Sequence, residues 1–230
     1  MIDPAFVEGL IRILFVGVVV TAAYIITSRN LLSVVSVYAV QSLMLVLIAL
    51  SLYSLEGSLV LLAIAVITFV SKVLIIPYFI ATVQEKIRIK RDIEFHYLTP
   101  TSSLLLSVVL MLVIYMALSR ILLGTSERNS LFFFGAVIGI SLMLMGMMVT
   151  FSRKKAITKV LGFLSMENGV LLFGMFVTEL PFIIEFLIII DLIIIVLLTA
   201  ILSIGIDSTL EDYQNRLHRF HLWETLEDTP

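Results

Sequence analysis

Glu167 stands in the middle of the apolar stretch Leu161–Gly174, with Asn168 beside it. The next apolar run carries two more carboxylates, Glu185 and Asp191. An ionised carboxylate in such surroundings must be paired, hydrated or protonated. Burial favours the neutral form of a carboxyl group, and a neighbouring ammonium favours the ionised form. A carboxyl group held between those two influences can take up and release protons. Lys72 is the cation that falls at the middle of an apolar run, and Gln41 is a neutral polar group at similar depth. The chemistry these residue types suggest is a proton relay through Glu167, Asp191, Glu185, Lys72 and Gln41. Each also has a plainer reading. A buried carboxylate or amide can simply hydrogen-bond a neighbouring helix, worth about 1 kcal/mol. Lys72 could snorkel to an interface, although its central place argues against that.

Composition limits the surroundings of these groups. The chain has 230 residues, of which 60% are hydrophobic and 14% charged, and its mean hydropathy is +1.15. Soluble domains carry about 25% charged residues, so the sequence reads as an integral membrane protein in contact with a lipid bilayer. The formal net charge of −2 gives no electrostatic ground for a nucleic-acid partner. The absence of cysteine removes disulfides, iron–sulfur ligation and thiolate nucleophiles. His96, His218 and His221 all lie outside the apolar runs, so neither a bis-histidine haem nor a catalytic triad is available in the membrane. No phosphate-binding loop and no metal-ligand spacing is present. The acidic N-terminal segment lacks the basic region of a cleaved signal peptide.

A spanning helix needs about 20 apolar residues. Seven runs qualify, at Phe6–Thr27, Leu31–Leu55, Ser58–Val83, Thr101–Leu123, Leu131–Phe151, Ala156–Thr178 and Pro181–Ile206. Pro4 and Pro181 suit helix starts, and Pro77 is expected to kink or break the third run. The fold class is thus all-α, with about seven transmembrane helices. Glu167 lies roughly 17 Å into its helix and Asp191 roughly 15 Å into the next, by a rise of about 1.5 Å per residue. Both depths are near the midplane of a core about 30 Å thick. Glu185 sits roughly 9 Å from Asp191 toward the start of that helix, nearer the outer face, and on a face about 120° away. A continuous file of acids therefore needs neighbouring helices.

Two further patterns organise the chain. If the helices alternate, eleven of the basic residues share one side: Arg29, Lys86, Arg88, Lys90, Arg91, Arg153, Lys154, Lys155, Lys159, Arg216 and Arg219. The other side's loops hold Arg128 with Glu56 and Glu179. This asymmetry places the N-terminus outside and the C-terminus inside. The chain also reads as a parallel duplication. Thr27-Ser-Arg-Asn opens run two and Phe151-Ser-Arg-Lys opens run six. Gln41 and Glu167 then occupy matching helices, as do Lys72 and Asp191. The resulting division is a first three-helix repeat (1–84), a basic cytoplasmic loop with a connector helix (85–123), a second repeat carrying the acids (124–206) and a cytoplasmic tail (207–230). The tail reads equally as a solvated segment or as a strap that docks a peripheral subunit. Gly162, Gly169 and Gly174 permit close helix approach.

The segment Gly162-Phe-Leu-Ser-Met-Glu-Asn-Gly169, followed by Glu185, Asp191 and Ile206-Asp-Ser-Thr-Leu, resembles component E of hydrogenase-4-type, membrane-bound nickel–iron hydrogenases, a group that includes formate hydrogenlyases. Each half also resembles the three-helix K subunit of respiratory complex I, which carries one glutamate in each of its second and third helices. Glu167 fits the first of these positions. Asp191 fits the second, with Glu185 as a competitor. Gln41 and Lys72 depart from that pattern in the first half. The resemblance implies a non-catalytic subunit of the cell membrane, without a cofactor of its own. It would lie between antiporter-like subunits and the subunit anchoring a peripheral hydrogenase arm, and would conduct protons or Na⁺. A subunit of a multisubunit cation/proton antiporter and a purely structural membrane-arm subunit are the alternatives. The orientation has a direct check: a reporter fused after Pro230 is expected to read out as cytoplasmic, and an external readout would reverse it.

Overall fold

The computed structural model describes residues 3–28, 30–87, 99–122, 130–153 and 156–177, and in the seventh run 189–191, 193, 194 and 196. The described residues are almost entirely helical, and they include no strand. Six helical spans among them are long and apolar enough to cross a membrane. Of the seventh run, only the helical residues just named are described. Glu185, most of the basic loop and the C-terminal tail lie outside the described residues.

Local chemistry sets the ends of the elements. Helix α1 covers Pro4–Thr27. The Asp3 carboxylate accepts from the Ala5 N–H at 3.1 Å, and Pro4 supplies a first residue that has no N–H to satisfy. Helix α2 covers Leu31–Glu56 and is capped in the same way by Asn30, whose Oδ1 accepts from the Leu32 N–H at 3.1 Å. Gly57 ends it in the left-handed region, at φ 69°. Helices α5, α6 and α7 cover Pro100–Leu122, Ser130–Ser152 and Ala156–Val177. Many hydroxyls inside these helices donate back to the carbonyl one turn earlier, such as Thr21 to Gly17 and Ser141 to Val137. That keeps them hydrogen-bonded in surroundings without water.

The third run is not broken at Pro77 and continues through it as one helical span. It begins as α3 (Leu59–Thr68), widens into a π-helical segment (Phe69–Ile75) and resumes as α4 (Ile76–Ile87). Pro77 explains the place. It has no N–H to give to the preceding turn, and its ring crowds the carbonyl four residues back. The chain widens just before it, and the Ile76 N–H reaches the Ser71 carbonyl, five residues back. Helices most often carry such widened turns at functional positions, and this one carries Lys72.

Two hairpins form the bundle. Helices α1 and α2 pack together, α6 and α7 pack together, and the hairpins meet through α1 on α6 and α2 on α7. The third run lies against α2. Helix α5 packs on α1 and α6 and is the least buried of the spans. Large apolar side chains such as Phe6, Ile13, Leu59, Tyr78 and Leu105 are exposed around the outside, the surface a hydrocarbon solvent requires.

The α6–α7 seam is backbone against backbone. A Cβ added at Gly139 would lie 2.6 Å from the Phe173 N, and one at Gly162 would lie 2.6 Å from the Thr150 N. Gly146 and Gly169 face the partner helix just as closely. Small residues at such positions let two helices gain dispersion contact where lipid removes the hydrophobic drive to associate. Phe176 closes one end of the seam, edge-on to Phe15 at 5.4 Å and to Phe132 at 5.9 Å. At the other end Arg153 is buried. Its Nη2 donates to the carbonyls of Ile26 (2.9 Å), Ser28 (3.2 Å) and Ile25 (3.3 Å). These are carbonyls left without partners where α1 stops, and a cation there also complements the helix dipole. The C-terminal ends of α1 and α6 thus share one end of the bundle.

The seam makes a prediction. Gly162→Leu is expected to destabilise the chain by about 1–3 kcal/mol through overpacking, read as a lower thermal midpoint in detergent. Gly9→Leu is expected to leave the midpoint unchanged, because no atom lies within 4 Å of a Cβ at Gly9.

Candidate functional site

The helix period collects polar groups on one face of α2. Tyr38, Gln41 and Ser42 follow at intervals of three and one, so they project together. All three are fully buried. On α7, Ser165 and Asn168 share a face for the same reason, and Glu167 lies next to them. The contact of α2 with α7 brings the two sets together. The widened segment of the third run adds Lys72, which is 0% exposed.

The centre is an ion pair. Lys72 Nζ lies 2.9 Å from Glu167 Oε1, with Glu167 2% exposed. Lys72 Nζ also donates to Asn168 Oδ1 at 3.3 Å. The orientation of the Asn168 amide follows from its other partners. Its Nδ2 donates to Gln41 Oε1 at 3.2 Å and to Ser42 Oγ at 3.1 Å, which leaves Oδ1 for the ammonium. Gln41 is held in turn. Its Oε1 also accepts from Ser165 Oγ at 3.4 Å, and its Nε2 donates to the Val18 carbonyl of α1 at 3.5 Å. A chain of polar contacts therefore runs from α1 through Gln41, Asn168 and Lys72 to Glu167. It crosses from one hairpin to the other and on to the third run.

Asp191 lies within electrostatic reach of Glu167. It is 5% exposed, and neither of its oxygens accepts a hydrogen bond from a described residue. Glu167 Oε2 is also without such a bond. Tyr38 sits beside Ser42, within electrostatic reach of both acids. The cluster thus places one ammonium, two carboxyl groups, two carboxamides and three hydroxyls in one buried volume. It can hold a mobile positive charge and change its hydrogen bonds when that charge moves.

Of the residues expected from the sequence, Glu167, Asp191, Lys72 and Gln41 come together. Glu185 lies outside the described residues. Lys72 faces the acids rather than an interface. Asn168 is more than a neighbour of Glu167, because it joins both hairpins to Lys72. Tyr38, Ser42 and Ser165 are additions. Their signal was present in the one-turn spacing around Gln41 and Asn168. Comparison of the chain with protein-family models, with curated proteins and with solved structures returned no match.

A buried pair broken on one side leaves an uncompensated charge, at a cost of about 3–5 kcal/mol. Lys72→Met is expected to destabilise the chain by that amount in chemical unfolding from detergent. Adding Glu167→Gln to Lys72→Met is expected to recover most of the loss. A loss in the double variant equal to the sum of the two single-variant losses would show that the two side chains are not coupled.

Proposed function

We propose that the chain is a non-catalytic, ion-translocating subunit of a complex-I-like membrane-bound hydrogenase, and that Glu167, Lys72 and Asp191 form the ion path. The buried Lys72–Glu167 ion pair carries this reading. Charged side chains inside a membrane are expensive and concentrate on ion pathways and proton relays. Here a cation and two acids from separate elements converge at one depth. A helix-packing role needs only neutral polar groups, which Gln41, Asn168 and the serines already supply.

The assignment to a hydrogenase rests on the resemblance of Gly162–Gly169, Glu185, Asp191 and 206–210 to the hydrogenase-4 component. Its partners would be antiporter-like membrane subunits and the subunit that anchors the peripheral arm. Redox chemistry would occur in that arm. The parallel duplication has support in the packing: α1 on α6 and α2 on α7 pair the matching helices of the two halves. Arg153 adds a further point, since it joins the ends of α1 and α6 where the two Ser-Arg junctions stand. The proposed orientation has the N-terminus outside and the C-terminus in the cytoplasm, in the cell membrane.

Glu167→Gln keeps the size and hydrogen-bonding capacity of the side chain and removes its titration. The variant complex is expected to assemble and to lose ion translocation coupled to turnover in liposomes. Normal translocation by the assembled variant would assign the acids to helix packing instead. A hydrogenase large subunit is expected to co-purify with the chain in mild detergent. Antiporter subunits without a hydrogenase would move the chain to a cation/proton antiporter.

A further inference from the structure

We infer that Lys72 is a tethered cation that fills the place of a bound Na⁺, so that the site of Glu167 and Asp191 carries protons and excludes Na⁺. The inference rests on the ion-path reading above and names its cargo. Na⁺ sites in membrane transporters are built from oxygens, often with unwound backbone carbonyls. The oxygens that could form one here include Glu167 Oε1 and Oε2, Asn168 Oδ1 and the Asp191 carboxylate, with the Tyr38 hydroxyl within electrostatic reach of both acids. The Lys72 ammonium already lies 2.9 Å from Glu167 Oε1 and 3.3 Å from Asn168 Oδ1. The amide network prevents a substitute. Asn168 turns its Nδ2 toward Gln41 and Ser42, and Gln41 directs its own Nε2 at the Val18 carbonyl. Gln41 Oε1 is occupied by Asn168 and Ser165.

The charge balance points to the same cargo. The ammonium compensates one carboxylate of the two. Glu167 Oε2 and both Asp191 oxygens remain without hydrogen bonds from described residues. One proton completes the balance, because it needs only two oxygens and can sit between Glu167 and Asp191 as O–H···O. A Na⁺ ion in that place would have few ligands and would stand close to the ammonium. In a buried site that repulsion is weakly screened. Lys72 is accordingly a specificity-determining residue: it keeps the carboxyl pair one proton short of neutrality and takes the oxygens a metal ion would use.

The test is a thermal unfolding series on the purified full chain in detergent, in NaCl and in choline chloride at equal ionic strength. The wild-type chain is expected to unfold at the same temperature in both salts. Lys72→Gln vacates the cation position and is expected to gain a Na⁺-specific rise of several degrees. A Na⁺-specific rise in the wild type would overturn the inference. So would the lack of one in Lys72→Gln, because the oxygens would then not form a cation site. If Lys72→Gln does not fold, Lys72→Ser replaces it, and the wild-type arm still decides against the inference if Na⁺ stabilises it. The Glu167→Gln translocation assay answers separately for the ion path itself.

Discussion

Burying the Lys72–Glu167 pair is the constraint on which the rest of the structure turns. Two ions taken from water lose several kcal/mol each, and only close geometry with further hydrogen bonds returns it. The fold supplies that geometry from three directions. The glycine seam sets α7 against α6 and so fixes Glu167 and Asn168. The α2–α7 contact brings Gln41 and Ser42 to the Asn168 amide. The widened turn ahead of Pro77 delivers the ammonium. None of these elements could form the cluster alone, because the ammonium, the carboxylate and the amides that orient them come from different elements. The polar centre therefore specifies how the hairpins register, while the apolar contacts around it supply the area.

The division of labour among glycine, amide and charge is visible along α7. Gly162 and Gly169 flank the Glu167-Asn168 pair and turn toward α6. Asn168 turns toward α2, and Glu167 toward the third run and Asp191. A single helix thus contacts three neighbours through three chemistries within about two turns. Larger side chains at Gly162 and Gly169 would collide with the α6 backbone.

Much of this was legible in the sequence. Run lengths located the six described spans to within a few residues, because hydrocarbon thickness sets helix length regardless of neighbours. Pro4 marked the start of α1, because its missing N–H costs nothing at that place. Counting residues from the helix ends placed Glu167, Asp191 and Lys72 at a common depth. What could not be read was rotation about each helix axis. Depth depends on rise alone, but facing depends on tertiary packing, and these helices are apolar nearly all round. The role of Asn168 as a hub needed knowledge of both partners. Arg153 looked like one basic residue among many at a helix end, and only the proximity of α1 reveals its use. The π-helical segment had a cause in the sequence, Pro77, but a proline permits a kink, a break or a widened turn. The surrounding helices select among them.

The widened turn also bears on how the third run can be compared with an ordinary helix. Bonds reaching five residues back instead of four accommodate one more residue in the same length of helix. The third run is thus one residue longer on paper than it is in space. Matching it by depth to an unwidened helix requires a gap of one position between 69 and 75. A straight version of the third run would hold one residue fewer over the same length, and Lys72 sits within the segment that takes up the difference.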